Sequence, residues 1–358
     1  MWSRTSPEFR KDILLKFAEL LRKHGEENSV LECVDTGKLI GDCIDEVAND
    51  APMHFQWYGE LIDKVFGKVS PTEPSITSLI VKEPIGVVAG VVPWNFPLMM
   101  AVWKAAPALA AGCSLIIKPA EDTPLTAIMV AQIAKEAGIP DGVFNVVPGF
   151  GDVGEALGRH NDVDAVSFTG STEVGGFFMK YSGESNLKTV GLEMGGKSPF
   201  IVLGDAKITD DLINNAIDSA FWNGGQNCSA NMRQIIHSKV KEEFLDKVLK
   251  KVKNIKVGDP LDPETNMGSM ISKKHLATVD GFIQKGIDEG ATLLYGGVSG
   301  NDQKGFFAKP TLFDNLKDNM TIARDEIFGP VLGIITVNNT EEALKIAKDS
   351  KYGLHASV

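Results

Sequence analysis

The sequence contains few cysteines, no block of basic residues and no long apolar run. Its four cysteines form no Cys-x-x-Cys pair, and its six histidines are scattered, so no metal site is expected. So few cysteines in 358 residues are typical of a reducing compartment, and residues 1–8 are too polar for a signal segment. A cytoplasmic location is therefore predicted.

The charge balance argues against two classes of partner. The formal net charge is -11, whereas binding to nucleic acid or to an anionic membrane surface requires a basic face. Glycine, proline and charged residues interrupt every apolar run before the ~20 residues that a membrane-spanning helix needs. With 43% hydrophobic and 23% charged residues, the composition is typical of a soluble chain large enough for two domains.

Most of the chain alternates between strand and helix patterns. Strand patterns at residues 87–92, 114–117, 143–147 and 165–168 alternate with helix patterns at 97–109, 124–137 and 151–159. Longer units follow, with helix patterns at 239–253, 273–289 and 340–349 and strand patterns at 291–294, 307–312 and 329–337. This order predicts an α/β fold built on a parallel, doubly wound sheet, in which turns after the strands bind nucleotides.

The first residues form helices ahead of this alternation. An N-cap, a proline and an acid at residues 6–8 begin an amphipathic helix, and a second helical stretch is predicted at about residues 35–66. We assign residues 1–67 and 85–195 to a dinucleotide-binding domain. Residues 196–358 are assigned to a second α/β domain.

Cys228 is the cysteine whose flanking sequence predicts an accessible thiol. A helix pattern at residues 210–221 and the paired glycines Gly224 and Gly225 precede it, and a strand pattern begins at Arg233. A thiolate is a strong nucleophile, and backbone N–H groups in such a tight connection point toward a reacting oxygen. On this stretch alone, a cysteine that packs in the core is an equally good interpretation.

Two polar residues at strand ends are candidates for a base and an oxyanion donor. Glu193 ends an apolar strand, and a carboxylate in apolar surroundings can act as a general base. Asn95 lies between two prolines, and a donor held rigidly in this way need not reorganise during the reaction. The alternative for Asn95 is a helix cap ahead of Pro97.

Two glycine-containing turns compete as the pyrophosphate site of a dinucleotide. Gly149, Gly151 and Gly154 form a literal Gly-x-Gly-x-x-Gly, but the next strand does not end in the acid that would bind a ribose. The rival turn contains Thr169, Gly170, Ser171 and Val174. The amides of a helix N-terminus there can bind phosphate oxygens. The alternative for the first turn is a glycine turn that merely lets the helix and the cofactor come close, and the alternative for the rival turn is a plain strand-to-helix turn.

Lys118 and Glu121 follow the strand pattern at 114–117. Such a pair can share the hydroxyl groups of a ribose, because the carboxylate accepts hydrogen bonds from both. The alternative is a surface ion pair.

Six motifs in a fixed order resemble the aldehyde dehydrogenase superfamily. They are Pro-Trp-Asn-Phe-Pro at 93–97, Lys-Pro-Ala-Glu at 118–121, Phe-Thr-Gly-Ser-Thr-Glu-Val-Gly at 168–175, Leu-Glu-Met-Gly-Gly-Lys-Ser-Pro at 192–199, Gly-Gln-Asn-Cys at 225–228 and Glu-Ile-Phe-Gly-Pro at 326–330. The likeness covers essentially the whole chain. It implies NAD(P)-dependent oxidation of an aldehyde, with a Rossmann-type parallel-sheet cofactor domain and an α/β catalytic domain that carries the nucleophilic cysteine.

The resemblance also implies a role for each motif. Cys228 would attack the aldehyde, the Asn95 side chain and the Cys228 N–H would hold the oxyanion, and Glu193 would activate the water that hydrolyses the thioester. Cofactor contacts are expected from Val92, Pro93, Trp94, Lys118, Glu121, Gly151, Thr169, Gly170, Ser171, Val174, Glu326 and Phe328. NAD is expected rather than NADP, and the literal Gly-x-Gly-x-x-Gly becomes an accessory turn.

The substrate is a small-molecule aldehyde on this interpretation. Phe96, Met100 and Trp103 would form an apolar tunnel wall, although their spacing fits plain core packing equally well. The sequence around Cys228 and residues 352–358 is most similar to enzymes that act on amino-alkyl aldehydes such as gamma-glutamyl-aminobutyraldehyde.

Both ends of the chain depart from the family pattern. Family members usually have a longer N-terminal lead and continue past residues 352–354, so the chain is expected to be a fragment or the product of a truncated gene. Residues 68–84 match part of the family's bridging arm. A homodimer or homotetramer is expected for the full-length family, and the absence of the arm's C-terminal partner strand argues against a tetramer of this chain.

Two other functions are compatible with the same fold. A non-catalytic structural or binding protein would not need Cys228, Glu193 and Asn95 together. A CoA-acylating relative passes the acyl group to a thiol, and it would not need Glu193 as a water-activating base. An assay of NADH production over a panel of aldehydes separates these functions.

Overall fold

The computed structural model describes residues 2–300 and 304–358, and the chain forms two compact units. The first unit comprises Met1–Asp35 and Gly41–Glu193, and the second comprises Thr36–Ile40 and Met194–Val358. Each unit contains a five-stranded sheet with helices on both faces. The predicted α/β class is confirmed.

The N-terminal part of the chain alternates between helices and strands. Its helices are α1 (Pro7–Lys23), α2 (Gly25–Thr36), α3 (Ile40–Cys43), α4 (Ala51–Leu61), α5 (Pro97–Ala111), α6 (Leu125–Ala137), α7 (Gly151–Arg159) and α8 (Thr172–Gly183). Its strands are β1 (Lys68–Ser70), β2 (Ser78–Ile80), β3 (Val87–Val91), β4 (Ser114–Lys118), β5 (Phe144–Val146), β6 (Ala165–Thr169) and β7 (Thr189–Glu193). β1 and β2 form a separate antiparallel pair.

The main sheet of the first unit is parallel, with the strand order β5-β4-β3-β6-β7. Leu115 and Ile117 of β4 belong to one core with residues of α1, α4, α5 and α6. Val166 and Phe168 of β6 belong to another core with Phe178 of α8. The chain runs outward from β3 through β4 to β5 and then returns to β6 on the other side of β3. A topological switch point therefore lies beside β3.

The helical stretch predicted at about residues 35–66 is confirmed from Ile40 onward, although it is not one regular helix, and α2 ahead of it was not predicted. The chain turns at Gly37, whose φ is 78°, and the helical path then contains a π-helical segment, Ile44–Asp50, ahead of α4. Pro52 in the first turn of α4 has no N–H to donate, and the residue before it donates to the carbonyl five residues back. A missing donor of this kind breaks the regular α-helical hydrogen-bond pattern.

The C-terminal part of the chain repeats the alternation. Its helices are α9 (Asp210–Phe221), α10 (Lys241–Val252), α11 (Lys273–Asp288), α12 (Thr321–Arg324) and α13 (Thr340–Lys348). Its strands are β8 (Pro199–Val202), β9 (Arg233–His237), β10 (Thr292–Tyr295), β11 (Thr311–Asp314) and β12 (Val331–Val337), in the order β10-β11-β12-β9-β8. The strands pair in parallel except for β10 with β11.

Helices cover both faces of the second sheet. Residues of α9 and α10 pack with Ile236 and Leu332, and residues of α11 and α12 pack with Phe313 and Val331. The strand predicted at 307–312 begins only at Thr311. The preceding Pro310 has no N–H for a strand ladder, which explains the later start.

Candidate active site

A cavity of about 490 Å³ lies at the carboxyl ends of β3, β4 and β6 in the first unit. It is lined by every cofactor residue predicted in this unit, namely Val92, Pro93, Trp94, Lys118, Glu121, Gly151, Thr169, Gly170, Ser171 and Val174. β3 and β6 flank the switch point of the sheet, where doubly wound folds bind their ligands. Residues that are far apart in the sequence therefore converge on one cavity of the size that a small-molecule ligand needs.

The Lys118–Glu121 pair contributes charge to this cavity. The Lys118 Nζ lies 3.2 Å from the Glu121 carboxylate, and the two side chains are 6% and 47% exposed. In a surface ion pair, the alternative considered above, both side chains would be exposed. Only the Glu121 side chain is exposed here, so the alternative does not fit Lys118. The buried Lys118 ammonium group therefore holds the Glu121 carboxylate in place at the cavity.

The turn after β6 is a helix N-terminus. Ser171 is the N-cap of α8, and its hydroxyl accepts a hydrogen bond from the Val174 N–H at 3.3 Å. A β-carbon on Gly170 would overlap the Phe168 ring, so glycine is required for this tight approach. At Gly151, by contrast, a β-carbon would meet no atom within 4 Å, so the backbone is accessible from the cavity. Both turns can therefore approach an anionic ligand closely.

Lys104 is a charged residue near the site that the sequence reasoning missed. It lies on the otherwise apolar α5, is only 8% exposed, and donates a hydrogen bond from Nζ to the Thr169 hydroxyl at 2.7 Å. Burial lowers the pKa of Lys104 to about 8, against the opposing effect of the Glu193 carboxylate. The lone lysine in an apolar helix was the available signal. Gly90 leaves room for its side chain, because a β-carbon there would press on the Lys104 stem.

Lys104→Met is expected to remove a pH dependence of stability. Between pH 8 and the ordinary lysine value of 10.5, the unfolded chain binds a proton that the folded chain lacks, so this group makes stability rise with pH there. The free energy of unfolding of the variant should therefore rise less than that of the parent across this window, by about 1–3 kcal/mol. Denaturant unfolding at pH 8 and pH 10 measures this difference.

The matched control is Lys135→Met, because the Lys135 side chain is 75% exposed. Its stability should follow the pH dependence of the parent. If the free energies of unfolding of Lys104→Met and of the parent depend on pH in the same way, the lowered pKa of Lys104 is contradicted.

Asn95 is 4% exposed and lies between β3 and α5. The N-cap position of α5 belongs to Phe96, so the helix-cap alternative for Asn95 is not supported. A carboxylate of α2 instead accepts a hydrogen bond at the start of this helix, because the Leu98 N–H donates to Glu32 Oε2 at 3.1 Å. A negative group at this position also interacts favourably with the helix dipole.

The three candidate substrate residues differ in burial. Phe96 is buried in the core of the first unit, and Met100 packs against that core. Trp103 is 51% exposed, with its ring centroid 6.0 Å from that of His54. Core packing therefore accounts for Phe96 and Met100, whereas Trp103 offers an exposed aromatic face.

The expectation of apolar surroundings for Glu193 is wrong. Glu193 is exposed at the end of β7, the edge strand of its sheet, and alternate residues along this strand face outward. The apolar neighbours in the sequence point to the other face, because side chains alternate along a strand. This finding corrects the environment of Glu193 and leaves its proposed role to be tested.

Cys228 belongs to the second unit and is partly exposed, whereas Cys33, Cys43 and Cys113 are buried. The Cys228 Sγ lies 3.8 Å from the Asn227 side-chain oxygen, which also accepts from the Ser229 N–H at 3.2 Å. The loop is thus ordered by its own polar side chains.

The turn ahead of Cys228 has an unusual backbone. Asn223, Gly224 and Gly225 have φ values of 51°, 62° and 70°, which side chains larger than hydrogen rarely tolerate in succession. A β-carbon on Gly225 would overlap the carbonyl of Gly329. The loop that contains Cys228 and the turn that contains Gly329 therefore lie backbone against backbone.

Glu326 and Phe328, the candidate contacts for the nicotinamide end, lie in that same turn. Glu326 Oε1 accepts a hydrogen bond from the Gly196 N–H at 3.1 Å. Burial raises the pKa of the Glu326 carboxyl, whereas this hydrogen bond and the charge of Lys197 lower it. Lys197 is itself only 4% exposed, and burial lowers its pKa to about 7, with Arg233 acting in the same direction. Glu326 is therefore partly buried in the second unit, close to the basic side chain of Lys197.

Two absences apply to residues 2–300 and 304–358. No group of three or more His, Cys, Asp or Glu side chains in this part of the chain is placed to hold a metal ion. None of its helices is both long enough and apolar enough to cross a membrane.

Comparison with known proteins identifies the class. The profile of the aldehyde dehydrogenase family matches residues 1–358. An NADP/NAD-dependent aldehyde dehydrogenase of Escherichia coli is 45% identical over 358 residues, which cover 100% of this chain and 72% of the relative. The crystal structure of gamma-glutamyl-gamma-aminobutyraldehyde dehydrogenase from Burkholderia cenocepacia is 46% identical with a TM-score of 0.96, covering 99% of this chain and 72% of that one.

A third similar structure is the NAD+ complex of an aldehyde dehydrogenase from Bacillus cereus, at 41% identity and a TM-score of 0.96 over 99% of this chain and 72% of that one. The chain belongs to the aldehyde dehydrogenase family. The family resemblance, the aldehyde dehydrogenase-like fold and the enzyme class predicted from the sequence are thereby confirmed.

Proposed function

We propose that this protein oxidises an aldehyde to the carboxylic acid with NAD, through a thioester on Cys228. The observation that carries the proposal is the convergence of ten predicted cofactor residues on one cavity at the switch point of the first sheet. The test is NADH formation by the purified chain over a panel of aldehydes. The absence of NADH formation with every aldehyde would contradict it.

The residues of the cavity fit a dinucleotide. Lys118 and Glu121 would hold the adenosine ribose, and Gly170 and Ser171, at the N-terminus of α8, would hold the pyrophosphate. Glu326 and Phe328 would contact the nicotinamide ribose end. The bound dinucleotide supplies the hydride acceptor. The NAD+ complex of the Bacillus cereus relative supports this choice of cofactor.

The chain's own residues supply the covalent and acid–base steps. The Cys228 thiolate attacks the aldehyde carbon, and the Asn95 amide and the Cys228 N–H donate to the resulting oxyanion. When hydride departs, the carbonyl re-forms as a thioester. Glu193 then takes a proton from water, the resulting hydroxide attacks the thioester, and the acid leaves as Cys228 is released.

We further propose a division of labour between the two parts of the chain. Residues 1–67 and 85–195 would bind the dinucleotide, and residues 196–358 would carry the nucleophile. Residues 68–84, which include the antiparallel pair β1–β2, would form part of an oligomerisation arm. The cytoplasmic location and the assembly state follow from the sequence analysis alone, and they stay predictions.

The substrate class that we propose is an amino-alkyl aldehyde. Support comes from the name of the Burkholderia cenocepacia relative, which acts on gamma-glutamyl-gamma-aminobutyraldehyde. The panel should therefore pair amino-alkyl aldehydes with plain alkyl aldehydes of equal length. A higher kcat/KM for the plain aldehydes would contradict this assignment.

NAD is expected to be used better than NADP. The Glu121 carboxylate lines the cavity, where it would accept hydrogen bonds from two ribose hydroxyls and repel a 2′-phosphate. Glu121→Gln should narrow the ratio of kcat/KM for NAD over NADP by about tenfold, the equivalent of ~1.4 kcal/mol. Steady-state kinetics with both cofactors measure the ratio.

Glu155→Gln is the matched control, because Glu155 also lines the cavity and also forms an ion pair, with Arg159 at 2.7 Å, but is not a proposed contact of the ribose. This variant should leave the ratio unchanged. Equal kcat/KM for NAD and NADP in the parent protein would show that the Glu121 carboxylate does not face the ribose.

A further inference from the structure

Phe328 has a backbone conformation that its side chain disfavours. Its φ is 58°, in the left-handed region that a bulky residue rarely adopts. Such conformations persist only where the surrounding structure enforces them, and they concentrate at functional sites. The second unit must therefore contain groups that hold Phe328 in place.

The His275 side chain contacts Phe328 directly. Its Nε2 lies 2.6 Å from the Phe328 carbonyl oxygen, and the two rings meet edge to face with centroids 6.2 Å apart. Since a carbonyl oxygen only accepts, Nε2 must carry the proton. Burial lowers the pKa of His275, so the neutral imidazole donates this bond near neutral pH.

His275 is itself fixed at the start of α11. Its backbone N–H donates to the hydroxyl of Ser272, the N-cap of this helix, at 3.2 Å. A side chain in the first turn of a capped helix has a defined origin, so it can orient a partner without reorganising.

The segment that carries His275 is also bonded to the nucleophile loop. Gln226, two residues before Cys228, accepts a hydrogen bond from the Ile271 N–H at 3.0 Å and donates to the Asn223 carbonyl at 3.1 Å. Residues 269–275 are thus anchored to the loop of Cys228 at one end and to Phe328 at the other.

We propose that His275 is a positioning residue that holds Phe328 in its left-handed conformation and fixes the Phe328 turn relative to the loop of Cys228. This inference rests on the proposed function, in which Phe328 contacts the nicotinamide end of the cofactor. His275 does not touch the reacting atoms. It acts by fixing where the hydride acceptor lies relative to the nucleophile.

The test compares His275→Leu with His275→Gln, since glutamine retains an N–H donor at a similar reach and leucine does not. His275→Leu should slow the NADH burst in rapid mixing by roughly 10–100-fold, because small misplacements of reacting groups have effects of this size. Its KM for the aldehyde should stay within about threefold of the parent value. His275→Gln should recover most of the burst rate.

Lys274→Leu, at an exposed neighbouring position on α11, is the control and should keep the parent burst rate. An unchanged burst in His275→Leu, or equal impairment in the Leu and Gln variants, would overturn the inference. Recovery in the Gln variant is the result that a merely structural role would not give.

A second measurement separates this inference from the proposed function. His275→Leu and Phe328→Gly are combined in a double-mutant cycle, read by denaturant unfolding. Glycine adopts the left-handed φ without strain, so His275→Leu should destabilise the Phe328→Gly protein less than the parent. Such non-additive effects support the inference, and additive effects overturn the inference alone. If the cycle is non-additive but Phe328→Gly leaves NADH formation unchanged, the cofactor role of Phe328 fails and the positioning role fails with it.

Discussion

Replacing Cys228 with alanine is expected to lower aldehyde oxidation by roughly a thousandfold or more, which is the scale found when a nucleophile is removed. The thiol bonds to the substrate and not to the dinucleotide, so NAD should bind with unchanged affinity. Steady-state NADH formation measures the first effect, and a direct titration of NAD binding measures the second.

Cys113→Ala is the control for this experiment, because Cys113 is a buried cysteine of the first unit. It should keep the parent activity once folded. Retention of more than a few per cent of the activity in Cys228→Ala would exclude Cys228 as the nucleophile.

Glu193→Gln is expected to separate the two halves of the reaction. The variant keeps the nucleophile and both oxyanion donors, so NADH should form once per site in a burst. Removing a positioned base slows its step by roughly 10²–10⁴-fold, so the thioester should accumulate and turnover should become very slow. Rapid mixing with absorbance detection shows both phases.

A slow burst in Glu193→Gln would mean that the same carboxylate also deprotonates Cys228 before attack. Glu19→Gln, an exposed carboxylate on α1, is the control and should behave like the parent. Steady-state turnover of Glu193→Gln at the parent rate would make Glu193 a structural acid and require another group to activate water.

The alternating core of the fold could be predicted from the sequence because its signals are local. Buried parallel strands such as β4 have an apolar centre, and helices such as α6 carry a clear apolar face with glycine at the end. The helical stretch predicted at about residues 35–66 is irregular for a local reason. Pro52 has no N–H to donate, and the π-helical segment ahead of it is not visible in the pattern of apolar residues.

Some features of the candidate site could likewise be predicted from local sequence signals, and others depend on the tertiary structure. Residues at the ends of strands, such as Lys118 and Ser171, were predictable because parallel strands deliver their ends to one edge of a sheet. The exposure of Glu193 could not be predicted, because it depends on which strand lies at the edge of the sheet. Lys104 and His275 were missed because their partners, Thr169 and Phe328, lie 65 and 53 residues away in the sequence.

The close approach of Gly225 to Gly329 also limits how the protein can be changed. No single substitution at Gly225 gives room for a side chain, because the obstacle is a backbone carbonyl and not a flexible group. Mutant libraries that randomise Gly225 will therefore consist mostly of inactive or unfolded members. Diversity introduced to alter substrate range belongs at positions such as Trp103, where an exposed side chain can change size without moving the main chain.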